Sequence, residues 1–98
     1  MVKVDISLVV PCFDEESTVP VFYEEAVKVC KTLNKQFEII FVDDGSMDGT
    51  LKILQNLAQQ DDCVHFISFS RNFGKEAALL AGLQAAQGDY IATIDVDG

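Results

Sequence analysis

Four polar clusters in this chain each sit directly behind an apolar run: Pro11-Cys12-Phe13-Asp14-Glu15-Glu16, Asp43-Asp44-Gly45-Ser46, Ser70-Arg71-Asn72-Phe73-Gly74-Lys75 and Asp95-Val96-Asp97. The last is the most pointed. Alternate residues of a β-strand share a face, so where a strand gives way to a loop Asp95 and Asp97 can turn toward one divalent cation. Turn and cap chemistry also produces Asp-x-Asp, so the triplet alone leaves both readings open. On a common rim, Asp14, Glu15, Glu16, Asp43, Asp44, Asp95 and Asp97 would repel one another. A divalent metal would relieve that repulsion, and a diphosphate arriving with it would meet Arg71, Lys75 and the N-terminus of the following helix.

The elements that must position these clusters are legible from periodicity. Residues 6–10 form a short β-branched run, and Pro11, which cannot donate to a ladder, is expected to end that strand. Helical spacing from Val19 to Leu33, with Ser17 or Thr18 as N-cap and Pro20 in the first turn, predicts a first helix. Residues 37–42 are a continuous apolar run too short for a helix, as expected of a strand covered on both faces. A second helix is predicted from Thr50 to Gln60 with Asp48 as N-cap, and a third strand over 64–69. An alanine-rich helix over 74–87 follows, its small side chains Ala78, Gly82 and Ala85 facing a sheet and Gly88 at C′. Residues 90–94 make a fourth strand.

This order, βαβαβαβ with helical connections, predicts an α/β fold: a Rossmann-like, mostly parallel sheet of strand order 3-2-1-4. Ligands of such sheets bind outside the carboxyl ends of the strands, where strand order reverses. Every polar cluster falls at a carboxyl end, so the rim reads as a metal and nucleotide site.

Composition sets the remaining bounds. With 98 residues, 49% of them hydrophobic, the chain is one small domain or part of one. Sixteen acids against seven bases give a net charge of −9, which argues against a basic nucleic-acid footprint and against adhesion to anionic lipid. Cys12, Cys30 and Cys63 show no CxxC or Cys/His spacing, so neither a disulfide framework nor a zinc site is expected. No charged-then-apolar leader opens the chain, and no apolar stretch approaches the roughly 20 residues a membrane helix needs. The expectation is a cytoplasmic protein whose own residues do not insert into a membrane. His65, at a strand start far from the rim, reads as structural.

The chain resembles the N-terminal, nucleotide-binding part of a family 2 glycosyltransferase of the GT-A fold. The resemblance is carried by Val10-Pro11-Cys12-Phe13-Asp14-Glu15-Glu16, Val42-Asp43-Asp44-Gly45-Ser46-Met47-Asp48-Gly49-Thr50 and Asp95-Val96-Asp97. Ser70 to Leu79 is most similar to the branch acting on polyprenyl phosphates, which includes dolichyl-phosphate mannose synthase and bacterial bactoprenol glucosyltransferases. It implies a UDP- or GDP-sugar donor bound by Pro11, Phe13, Glu15, Asp43, Asp44, Arg71, Lys75 and Asp95. It implies Mg²⁺ or Mn²⁺ on Asp95 and Asp97, and transfer with inversion to a lipid phosphate. Three departures accompany it. Asp14 stands where the family usually has Asn, and Gly98 where this branch usually has Leu followed by a metal-holding Gln. The chain also ends where the acceptor-binding half would begin, so residues 1–98 are expected to be a truncated GT-A domain without transfer activity or catalytic base of its own. The resemblance is compatible with a full-length protein on the cytoplasmic face of a membrane.

Bland roles compete at each position. Asp43 and Asp44 either reach the base and ribose or form a turn with Gly45, while Ser46 and Asp48 cap a helix. Arg71 either meets phosphate or neutralises neighbouring acids. Asp95-Val96-Asp97-Gly98 also fits the nucleophile loop of haloacid dehalogenase-like phosphatases, and a non-catalytic metal or nucleotide module is a third reading.

Overall fold

The computed structural model describes residues 3–96; Asp97 and Gly98 lie outside the described residues. Four strands, β1 (Ile6–Cys12), β2 (Phe37–Asp43), β3 (Val64–Ser68) and β4 (Tyr90–Thr93), alternate with α1 (Val19–Leu33), α2 (Thr50–Gln60) and α3 (Lys75–Ala85). They form one parallel sheet in the order β3-β2-β1-β4, as expected for right-handed crossovers.

Side-chain alternation along the central strands builds the two faces. Leu8, Val10, Ile39 and Phe41 point to the α1 and α2 side, where Phe22 of α1 meets Phe41 edge-on at 6.1 Å. Ile40 and Val42 point the other way, onto Ala78 of α3. A strand buried on both faces has no position for a polar alternation, which is why β2 reads as an unbroken apolar run. Its one acid before the rim is Glu38. Buried on the α3 side, Glu38 accepts from Ser7 Oγ at 2.6 Å and from Gln87 N–H at 2.8 Å, and His65 Nε2 lies 3.5 Å away. Ser7 Oγ in turn accepts from Gly88 N–H at 2.8 Å. This network pins the far end of α3 to the sheet.

Several expectations are corrected. Pro11 does not end β1: it pairs in register with Val42, and the strand runs to Cys12. Val9 C=O accepts from Ile94 N–H, so Val9 faces β4, and Pro11, two residues on, faces the same way. Because β4 stops at Thr93, the missing N–H of Pro11 costs no ladder bond. The residue before α2 is Gly49, and Asp48 reaches over it to accept from Thr50 N–H and Oγ1. β3 ends at Ser68 and β4 at Thr93, one residue short of expectation in each case. Helix α3 is shorter than expected and ends at Ala85, with Ala86 extended as its C-cap. Gly88 is therefore not a helix cap; a Cβ there would lie 2.7 Å from Ser7 N, so close approach to β1 requires glycine. Ala85 is exposed, and Ala81 and Ala86 pack on the sheet with Ala78 and Gly82.

Gly82 makes the tightest helix-to-sheet approach, since a Cβ there would sit 2.3 Å from Val9 Cγ1. Helix propensity favours Ala over Gly by about 1 kcal/mol, whereas overpacking a close-packed core costs about 1–3 kcal/mol. Overlap should win. Gly82→Ala is expected to lower the thermal midpoint by several degrees in a calorimetric scan; a raised midpoint would show that α3 does not lie this close to β1.

Candidate functional site

A cleft of about 150 Å³ opens at the carboxyl rim, between the β1–α1 loop on one side and the segment after β4 on the other. Pro11, Phe13, Glu15, Asp44, Lys75 and Asp95 line it, joined by Cys12 and Val96. Six of the eight residues expected to bind a nucleotide sugar thus come together. Asp43 and Arg71 do not line it. Asp43 is 1% exposed and its Oδ1 accepts from Ser46 N–H at 3.1 Å, a turn role. Arg71 lies outside the cleft with its guanidinium carbon 4.6 Å from the centroid of the Phe73 ring. Asp97, the second expected metal ligand, is outside the described residues.

The crowded acids are arranged differently from the sequence expectation of mutual repulsion relieved by metal. Each described member of the set has a donor from another part of the chain or from its own turn. Asp14, in the left-handed region at φ 53°, turns its carboxylate away from the cleft to accept from Met47 N–H at 2.8 Å. Asp tolerates this conformation, as Asn does. Glu15 Oε2 accepts from Thr18 Oγ1 at 2.8 Å, and Glu16 Oε2 from Gly49 N–H at 3.2 Å. Asp95 Oδ1 lies 2.5 Å from Lys75 Nζ.

Two loops are latched by these contacts. Asp14 N–H donates to Ser46 Oγ, Glu15 N–H to Thr50 Oγ1 and Glu16 N–H to Asp48 Oδ2, while the Asp14 and Glu16 carboxylates accept from the facing backbone. The β2–α2 loop therefore sets the path of Phe13 and Glu15. The Thr50 hydroxyl holds Asp48 below the usual carboxylate range. Its contribution is accordingly present above the ordinary carboxylate pKa and is lost as pH falls through the depressed folded value.

Asp44 performs a similar task on the other side. Although it lines the cleft, its buried carboxylate accepts from Phe73 N–H at 2.7 Å, Gly74 N–H at 3.1 Å and Asn72 Nδ2 at 3.2 Å. The N–H groups of Phe73 and Gly74, just ahead of α3, are thus occupied by Asp44; those of the helix's own first turn are not among its donors. Gly45 is needed where this loop approaches: at φ 75°, its Cβ would lie 2.2 Å from the Arg71 carbonyl carbon. Burial first, and then the nearby Asp43 and Glu15 carboxylates, push the Cys12 thiol up to about 12, so it is no nucleophile at neutral pH. Sequence reasoning missed Cys12, Val96, Asn72 and Thr50. Cys12, Asn72 and Thr50 stand inside the polar clusters and motifs quoted from the sequence, which was the available signal, and Val96 had only its place between Asp95 and Asp97.

Comparison with known proteins bears on the family and the fold. Residues 7–98 match the family described as Glycosyl transferase family 2. The chain is 50% identical over 92 residues to a prophage bactoprenol glucosyl transferase homolog of Escherichia coli K12, covering 94% of this chain and 30% of that protein. It is 40% identical over 93 residues to an undecaprenyl-phosphate 4-deoxy-4-formamido-L-arabinose transferase of Proteus mirabilis, covering 94% and 28%. Among solved structures, TarS residues 1–349 of S. aureus superpose with a TM-score of 0.81 at 25% identity, covering 95% of this chain and 27% of that one. A mannosyltransferase of Pyrobaculum calidifontis shares the fold, with a TM-score of 0.73 at 22% identity over 99% of this chain and 28% of that one. The chain spans about 30% of the length of the curated relatives it matches. With a GT-A sheet in the order β3-β2-β1-β4 and the family pattern running from the first strand through residue 98, the chain belongs to glycosyl transferase family 2.

Proposed function

We propose that these residues are the donor-binding part of an inverting glycosyltransferase that moves a sugar from a UDP- or GDP-sugar to a polyprenyl phosphate. One observation carries the reading: the cleft lies between β1 and β4, where strand order reverses and where open parallel sheets bind ligands. The relatives named for bactoprenol and undecaprenyl phosphate support the acceptor class. TarS, solved in complex with UDP, supports the donor class. Membrane association of a longer protein would follow from such an acceptor; within the described residues no helix is long and apolar enough to cross a membrane.

In this reading Phe13, 43% exposed at the cleft, offers a ring face to the base. Glu15 is oriented through Thr18 and presents its other oxygen to a ribose hydroxyl or ring N–H. Pro11 shapes the floor between them. Asp43 and Asp44 act on the walls, holding the turn at Ser46 and the β3–α3 loop, instead of reaching the nucleotide themselves. Lys75 is the cationic side chain facing the cleft and is placed to meet a diphosphate.

The donor set at the end of β4 suits a hard, oxygen-seeking cation such as Mg²⁺ or Mn²⁺, because Asp95 presents a half-exposed carboxylate to the cleft. Asp95 and Asp97 would hold it, and the ion would supply charge neutralisation to the departing diphosphate. A phosphate acceptor is already an anion, so in-line attack on the anomeric carbon needs little help from a general base.

The test is an NMR titration of the chain with UDP and with GDP in millimolar Mg²⁺. Shifts are expected to cluster at Phe13, Glu15, Lys75 and Asp95; shifts confined to the His65 end of the sheet would refute the site. Asp95→Asn is expected to weaken nucleotide binding roughly tenfold to a hundredfold, the loss of about 1.5–3 kcal/mol that accompanies a charged contact.

A second measurement separates wall residues from ligand contacts. Asp44→Ala leaves the N–H groups of Phe73 and Gly74 without their acceptor, at a cost of about 1–3 kcal/mol, so the thermal midpoint should fall by several degrees even without nucleotide. An unchanged midpoint with lost UDP binding would instead make Asp44 a direct ligand contact.

A further inference from the structure

We propose that Lys75 is an exchangeable counter-ion, competing with a divalent cation for Asp95 and swinging to the diphosphate when the cation takes that carboxylate. The inference rests on the assignment of Asp95 as a metal ligand made above. Lys75 Nζ lies 2.5 Å from Asp95 Oδ1, both side chains line the cleft, and they are 59% and 49% exposed. The other acids on the cleft wall are held by neutral donors, Asp44 by backbone N–H groups and Asn72, and Glu15 by Thr18. Asp95 alone among them is matched by a mobile charge.

The geometry lets the lysine move without the helix moving. Helix α3 is held to the sheet at its start through Asp44 and beyond its end through Glu38 and Ser7, whereas the Lys75 ammonium sits on a flexible four-carbon stem. A half-exposed ion pair contributes about 0.2–1 kcal/mol, little enough for a dication to displace it. With the Phe73 and Gly74 N–H groups occupied by Asp44, the displaced ammonium is the cationic side chain lining the cleft that can meet phosphate oxygens. The sign of the effect follows. Removing Lys75 should tighten the metal and loosen the nucleotide, whereas a plain phosphate-binding lysine would affect the nucleotide alone.

The experiment titrates Mn²⁺ alone into the 98-residue chain and follows paramagnetic broadening of amide signals near Asp95, then titrates UDP in saturating Mg²⁺. Lys75→Met is expected to bind Mn²⁺ more tightly by up to about fivefold, the ratio equivalent to the upper end of the ion-pair strength, and to bind UDP several-fold more weakly. Lys75→Arg should behave as wild type in both. Lys35→Met removes the same charge at the opposite end of the sheet and should leave Mn²⁺ affinity unchanged. Unchanged or weaker Mn²⁺ binding in Lys75→Met, or equal tightening in Lys35→Met, would overturn the proposal. Asp95→Asn distinguishes the two levels of failure: if it retains Mn²⁺ the metal assignment itself falls, and if it loses Mn²⁺ while Lys75→Met shows no tightening, only the competition falls.

Discussion

A carboxylate removed from water must be met by donors, and on this rim most of the donors are backbone N–H groups of neighbouring loops. That constraint organises the site. Asp14 and Glu16 accept from the loop after β2, Asp44 accepts from the loop after β3, and Asp43 closes its own turn onto Ser46. Asp14, Glu16 and Asp44 thereby become cross-links between segments distant in sequence. The cleft is the space these cross-links leave between β1 and β4.

Strand β2 acts at both ends of α3. Glu38, near its start, accepts from Gln87 beyond the end of the helix, and Asp44, just past its last residue, accepts from Phe73 and Gly74 ahead of it. Between these anchors the helix touches the sheet through Ala78 and Gly82, whose small size allows the close approach that larger side chains would prevent. A helix fixed at two ends and along its length holds the Cα of Lys75 steady, so motion at the site is left to side chains. The same economy appears at Pro11, which sits in a central strand because its partner β4 has already ended on that side.

The chemistry this permits differs from an open acidic pocket. An acidic rim of seven unsatisfied carboxylates would bind cations without discrimination. Here Asp95 and Glu15 are the acids directed at the cleft with oxygen to share, Lys75 opposes Asp95, and Cys12 stays a neutral thiol on the floor. Lys75 neutralises Asp95, while Glu15 and Asp44 keep their negative charge on neutral donors, so the cleft of this chain of net charge −9 stays acidic.

Much of this molecule is legible in the amino-acid sequence by itself. Local signals set the elements: an unbroken apolar run for β2, helical spacing with Pro20 for α1, and small residues for α3, so parallel strands and the location of the rim followed from connection length and handedness, and the order 3-2-1-4 from likeness to a Rossmann-like half. The motifs also named the family and most of the cleft residues. What tertiary structure alone decided is the direction of each side chain. Asp43 and Asp44 are adjacent in sequence, yet Asp43, the last residue of β2, closes a turn, while Asp44, just past the strand, grips the loop before α3. Likewise, Lys75 and Asp95 stand twenty positions apart and meet only because the sheet brings the start of α3 beside the end of β4. Spacing tells which residues reach the rim; the partners each one finds there depend on contacts between loops that no local pattern encodes.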